Sequence, residues 1–159
     1  MDATTMAALG GRLKDGQTLQ GQDLAAFEQD VFGSTTLGIV WDELSLQRVV
    51  AHVEPGPQHH QPYGIVHGGV WCSIVESLAS VAAALQVIGD GRVVVGVSNA
   101  TDFLRAHRTG RVDAVDTPVH IGRSQQLWQV VLTRVADGKA VARGQVRLQN
   151  VDAAALGGA

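Results

Sequence analysis

Apolar positions fall into blocks along the chain, and their spacing changes from one block to the next. From Gly68 to Val87 they run nearly unbroken, interrupted by Ser73, Glu76, Ser77, Ser80 and Gln86, and the block stops at Gly89-Asp90-Gly91. A run of this length predicts one long helix, most of it covered. Downstream the period shortens to two. Between Lys139 and Asn150, Ala142, Gly144, Val146 and Leu148 alternate with Arg143, Gln145 and Arg147, a strand with one packed and one wet face. Asp137-Gly138 predicts the hairpin that joins it to a strand over Gln126–Ala136. Val93, Val94, Val95 and Val97 predict a strand over Arg92–Asn99 covered on both faces. Arg111–Ile121 reads as another strand, with Pro118 at an edge or a bulge.

Upstream of the long helix, Thr35–Trp41 and Leu44–Val53 are strand-like, and Pro55, Gly56, Pro57 and Pro62 mark a loop. Asp23–Phe32 predicts a short amphipathic helix, with Asp23 as N-cap and Gly33 as its stop. Residues 1–21 are expected to be a loose leader and residues 151–159 a fraying tail, leaving one domain over 22–150. Two strands, one apolar helix and four hairpin-linked strands suit an α+β fold, an antiparallel sheet wrapped around the helix.

Composition narrows the function classes. The 159 residues are 45% hydrophobic and 17% charged, which is globular, and the net charge of −3 with no basic stripe argues against nucleic acid. Cys72 is the lone cysteine, so no internal disulfide forms and a reducing, cytoplasmic setting is expected. No basic segment followed by an apolar run opens the chain, so no secretory signal is expected. The Gly68–Val87 block is long enough to cross a bilayer, but a carboxylate at its centre would cost roughly 2.5–3.5 kcal/mol, so a buried core helix is the better expectation.

On a helical wheel Gly69, Ser73, Glu76 and Ser80 share an arc of roughly 60°, opposite Ile74, Leu78, Val81 and Leu85. A carboxylate on a covered helix finds a donor, takes up a proton or lines a cleft; a strand backbone or an arginine could satisfy Glu76 with no function attached. His67-Gly68-Gly69 enters the same helix from the Pro/Gly-rich loop, where the first backbone N–H groups lack partners and the macrodipole is positive. Such a terminus suits a developing oxyanion. Glu76 lies about 12 Å further along, too far to flank the same group, so two chains side by side are needed. This predicts an active site at a dimer interface.

Gln61-(x5)-His67-Gly68-Gly69-(x6)-Glu76-(x3)-Ser80 resembles the hotdog-fold acyl-CoA thioesterases of the phenylacetyl-CoA and 4-hydroxybenzoyl-CoA type. The resemblance continues through Val95-Gly96-Val97-Ser98-Asn99-Ala100-Thr101-(x2)-Leu104-Arg105 and His120-Ile121-Gly122-Arg123-Ser124-Gln125-Gln126-Leu127-Trp128, covering residues 35–150. It implies that Glu76 is the catalytic carboxylate and that Gly68 offers its N–H to the thioester carbonyl. Gln61 and His67 would hold that carbonyl or the water, and Ser80 would position the water or the acyl group. Gly96, Phe103, Leu104, Arg105, His120, Gly122, Arg123 and Ser124 fall in the blocks that bind coenzyme A, with Arg105 and Arg123 facing its phosphates. The family's proline after Leu-Arg is replaced by Ala106-His107-Arg108, so Arg105 and Arg108 both stay open as the phosphate contact. The resemblance also implies a homo-oligomer, a dimer of dimers (homotetramer), with active sites at the dimer interface; on the residues alone, dimer and tetramer both stay open.

The implied reaction is hydrolysis of an acyl-CoA, aromatic or medium-chain, to free acid and coenzyme A, with no cofactor and no metal. Glu76 acts as general base on water or as nucleophile through a mixed anhydride, and both routes need it ionised. A hotdog-fold dehydratase or hydratase, and a non-catalytic acyl-CoA-binding module, are the competing readings. His59, His60 and His67 cluster without a closed zinc spacing. Cys72, Trp71 and Trp128 read as packing residues, and Asp102 with Arg111 as a strand-end ion pair.

Overall fold

The computed structural model describes residues 3–28 and 32–156 of the chain. Helix α4 (Gly68–Val87) has the predicted bounds. His67 caps its start, the ring Nδ1 accepting the Gly69 N–H at 2.9 Å. Its end turns out at Ile88, in extended backbone, and Gly89 at φ 81°. Ile74, Val75, Leu78, Ala79, Ala82, Ala83 and Leu85 are fully buried, so an apolar helix long enough to span a membrane packs instead against its own sheet.

That sheet is antiparallel throughout, in the order β1 (Val40–Leu44), β2 (Val49–Val53), β4 (Val112–Ile121), β5 (Gln125–Arg134), β6 (Lys139–Asp152), β3 (Arg92–Phe103). In β6, Ala142, Gly144, Val146 and Leu148 face inward while Arg143, Gln145 and Arg147 face out, as the alternation requires. Pro118 sits at a bulge, where β4 shifts register against β5 between Pro118 and His120 and β2 has already ended opposite Asp116.

Several expectations are corrected. Residues 3–21, the described part of the expected leader, are ordered into the fold: α1 (Ala3–Lys14) is helical, Leu9 and Leu13 sit four apart on its buried face, and Leu19 is buried with them. Gly10 lets α1 approach Ile88 at the far end of α4, since a Cβ there would fall 2.5 Å from the Ile88 side chain. At the other terminus β6 runs to Asp152 and a short helix α5 (Ala153–Leu156) follows; residues 157–159 lie outside the described residues. The helix expected over Asp23–Phe32 is instead a 3₁₀ turn at Gly21–Leu24, α2 (Ala25–Glu28) and α3 (Phe32–Leu37), with residues 29–31 outside the described set. Asp23 lies inside the 3₁₀ turn rather than ahead of a helix, and its carboxylate holds Arg12 through two bonds of 2.7 and 2.8 Å. Gly33 lies within α3, close against Ile39 and Ser77, and the strand expected from Thr35 starts only at Val40. β3 is not covered on both faces. As the outer strand of the sheet it is half-buried up to Val95 and exposed from Gly96 to Ala100. Asp102 pairs with Arg143 at 3.5 Å, and Arg111 with Asp113 and Asp42, rather than with each other.

One buried group fits no packing rule. Asp116, on the inward face of β4 between Val49 and Val130, is fully buried, and neither carboxylate oxygen has a hydrogen-bond partner. Burial weakens it as an acid, pushing its pKa up to about 8. The folded chain therefore keeps this proton between about pH 4 and 8 while the unfolded chain loses it near 3.8, so the native state binds more protons and stability falls as pH rises through that window. Asp116→Asn removes the titration without removing the shape. Urea unfolding at pH 5, 7 and 9 should show a smaller loss of stability toward high pH in this variant than in the wild type; identical pH slopes would mean that Asp116 ionises in the fold as freely as in water.

Candidate active site

The start of α4 faces a cavity of about 450 Å³ lined by Gln61, Ile65, Val66, His67, Gly68, Gly69, Trp71, Phe103, Leu104, Arg105, Ala106 and His107. Its floor is apolar; its polar groups come from the loop before the helix and from Arg105. At the helix start, Gly69 donates to His67 Nδ1 and Val70 to the His67 carbonyl, while among the described residues the Gly68 N–H has no acceptor. Because Nδ1 accepts, the His67 ring carries its proton on Nε2 and remains a donor there. Phe103 lies over Gly68: a Cβ on that glycine would come within 2.7 Å of the ring. A side chain at 68 would therefore force the exposed Phe103 ring to move aside.

The Gln61 loop is stapled to the segment after β3. Val66 donates to the His107 carbonyl at 2.9 Å and His60 Nε2 bonds the Arg108 carbonyl at 2.7 Å. Arg108 turns back to give Nη1 to the carbonyls of Tyr63 and Gly64, at 3.3 and 2.7 Å. Arg105 lines the cavity with one Nη on the Ala140 carbonyl; Arg108 does not line it. The three loop histidines diverge. His67 caps α4, His60 holds Arg108, and His59 is buried, accepting the Gly56 N–H on Nδ1, with burial lowering its basicity. Among the described residues no group of three His, Cys, Asp or Glu side chains is placed to hold a metal.

Glu76 stands two turns further along α4, half-buried, and does not line that cavity. It looks onto the middle of β3. Asn99 Nδ2 donates to Glu76 Oε2 at 2.9 Å, and Ser80 Oγ lies 3.5 Å from Oε1, at the limit of a hydrogen bond. A Cβ on Gly96 would meet Oε1 at 2.8 Å, so Gly96 clears the space the carboxylate occupies. No cation pairs with Glu76 among the described residues.

The sequence-derived site residues therefore fall into three groups on one chain. Gln61, His67, Gly68, Phe103, Leu104 and Arg105 gather at the helix start. Glu76, Ser80 and Gly96 gather at mid-helix. His120, Gly122, Arg123 and Ser124 form the β4–β5 turn, tied by Asn150 to the Gly122 and Arg123 carbonyls and by Arg92 to that of Arg123. Along β6 this turn, bonded at Asn150, is about 26 Å from the Phe103 pairing position at Ala142. Sequence reasoning gave no role to Asn99 and Thr101, though both stand in the quoted pattern, and it missed Trp71 and His107 as cavity lining.

The thioesterase-superfamily profile matches residues 63–141. The Mycobacterium tuberculosis protein Rv1847, named for an inferred esterase activity, is 47% identical over 119 residues, which span 74% of this chain and 84% of its own. The proofreading thioesterase EntH of Cronobacter sakazakii is 36% identical over 96 residues, 60% of this chain and 69% of EntH. Among solved structures, Rv1847 superposes with a TM-score of 0.73 at 43% identity, covering 77% of this chain and 98% of that one. The thioesterase HI1161 of Haemophilus influenzae gives a TM-score of 0.76 at 27% identity, covering 86% and 94%. With a six-stranded antiparallel sheet packed on one long helix, this chain belongs to the thioesterase superfamily and is a hotdog-fold thioester hydrolase.

Proposed function

We propose that the protein hydrolyses an acyl-CoA thioester to free acid and coenzyme A, with Glu76 as general base or nucleophile. The observation that carries this reading is a carboxylate on the core helix that holds an amide donor, pairs with no cation and stands at the open edge of the sheet. A thioester carbonyl is already electrophilic and its thiolate leaves readily, so the chemistry asks for no metal and no cofactor. The unpartnered Gly68 N–H, at the positive end of α4, is suited to the oxyanion, with Gln61 and the His67 Nε2–H beside it. Ile65, Val66, Trp71, Phe103 and Leu104 favour an aromatic or medium-chain acyl group in the cavity. Arg105 is the better phosphate contact, because it lines the cavity and Arg108 does not.

The site is completed by a second copy. β3 offers twelve residues of unpaired edge with no proline or lysine to block addition, and Val97 on it is exposed. Two copies joined along β3 would bring the Gly68 end of one protomer toward Glu76 of the other and His120–Ser124 toward a ligand seated at the partner's cavity. In this reading the working unit is a homodimer, paired again into a dimer of dimers, in the cytoplasm.

A thiol-release assay over acetyl-, hexanoyl-, decanoyl-, benzoyl- and phenylacetyl-CoA tests the activity. Glu76→Ala should lower kcat about 10²–10⁴-fold while coenzyme A binding stays measurable by calorimetry; normal turnover by that variant would remove Glu76 from the chemistry. Gln61→Ala should cost less, roughly tenfold. Gly96→Ala should displace the Glu76 carboxylate and cut kcat at least tenfold with unfolding temperature nearly unchanged, because the added methyl meets only the mobile carboxylate. Mixing Glu76→Ala with Gly68→Val subunits should restore part of the activity in heterodimers, and verified heterodimers without any recovery would rule out a shared site.

A further inference from the structure

Glu76 is not held by its own helix. Its firm contact comes from β3, where Asn99 Nδ2 reaches Oε2 at 2.9 Å and the Cys72 carbonyl at 3.1 Å. On the other side of the amide, Thr101 Oγ1 lies 2.7 Å from Asn99 Oδ1. These contacts admit one orientation. A carboxylate and a backbone carbonyl only accept, so the amide must turn its nitrogen to both, and its oxygen is left to receive the Thr101 hydroxyl proton. Thr101 is in turn fixed under α4 by close packing: a Cβ on Gly144 would come within 2.6 Å of its hydroxyl and 2.8 Å of Val75. A chain of three side chains, Thr101 to Asn99 to Glu76, thus runs from the packed face of the sheet to the carboxylate.

We propose that Asn99 is the positioning residue for the Glu76 carboxylate, kept in its donor orientation by Thr101. This rests on Glu76 being the reacting group. The amide clamps one oxygen and leaves Oε1, with only the Ser80 hydroxyl at 3.5 Å, as the atom free to take a proton from water or to attack the carbonyl carbon. The strand backbone makes this placement more rigid than a loop would. β3 is bonded to β6 along its length, and its register shift between Gly96 and Ser98 is what turns both Gly96 and Asn99 toward α4.

The test compares Asn99→Ala, Asn99→Asp and Thr101→Val with the wild type and Glu76→Gln, using benzoyl-CoA and hexanoyl-CoA between pH 5 and 9. Asn99→Ala should lower kcat roughly tenfold with KM within about twofold, and move the acid limb of the kcat profile to higher pH. Asn99→Asp places a second carboxylate beside the first and should move that limb further, with activity recovering as pH rises. Thr101→Val should give a smaller loss of the same kind. A carboxyl ¹³C titration of Glu76 reads the same contact without turnover, and its midpoint should rise in Asn99→Ala. If Glu76→Gln is fully active, the catalytic assignment fails, whatever Asn99 does. If Glu76→Gln is inactive but Asn99→Ala keeps both its kcat profile and its ¹³C titration, the positioning role is overturned and the catalytic assignment stands.

Discussion

The structure depends on how one apolar helix is covered. α4 buries Ile74, Val75, Leu78, Ala79, Ala82, Ala83 and Leu85 against the sheet and cannot bury Glu76 in the same way, because a carboxylate surrounded by aliphatic groups loses its hydration without replacement. The sheet resolves this by ending. Its strand order brings β6 beneath the helix and leaves β3 outermost, so the polar stripe of α4 emerges at the last strand, where side chains can supply donors and no further strand closes the surface.

The helix length then sets the architecture of the site. The free N–H of Gly68 and the Glu76 carboxylate sit on the same rigid rod, about 12 Å apart, and no side-chain rotation removes that separation. An electrophile held at one cannot be reached from the other. The cavity lining repeats the point, since it gathers Gln61, His67, Gly68 and Arg105 and excludes Glu76. The same element that forbids a complete site in one chain carries β3 beside it as an unpaired edge. In the proposed dimer, pairing along this edge would extend the sheet and complete the site together.

The fold was legible where a period or a turn signal acts alone. The α4 bounds, the Asp137-Gly138 hairpin and the alternation in β6 follow from such local rules. Legibility failed where the deciding interaction is distant. Leu9, Leu13 and Leu19 sit among glycines, threonines and glutamines that read as loose chain, and distant contacts order them: Gly10 brings α1 against Ile88, and Leu19 bridges to Leu44 of β1. The valines of β3 read as a doubly covered strand because an apolar run does not by itself tell a buried strand from an edge strand. In the site, His67-Gly68-Gly69 and Glu76 announce themselves by chemistry and spacing. Asn99 does not: it is three residues from Gly96, an odd interval that strict alternation sends to opposite faces, and the bulge that corrects this leaves no mark in the sequence beyond a glycine.

Asp116 and Glu76 stand in contrasting settings, and the contrast bears on the role proposed for Glu76. Asp116 lies mid-sheet between Val49 and Val130 with both oxygens unpartnered, and burial keeps its proton on up to about pH 8. A neutral acid there can neither deprotonate water nor attack a carbonyl at neutral pH, and Asp116 does not line the cavity at the start of α4. Glu76 occupies the same layer of the fold but at its rim, with an oriented amide on one oxygen and space made by Gly96 at the other. Depth in the fold, more than residue type, separates the two. Moving a carboxylate by a few strands, from the centre of the sheet to its edge, changes it from a group that costs stability to one that can react.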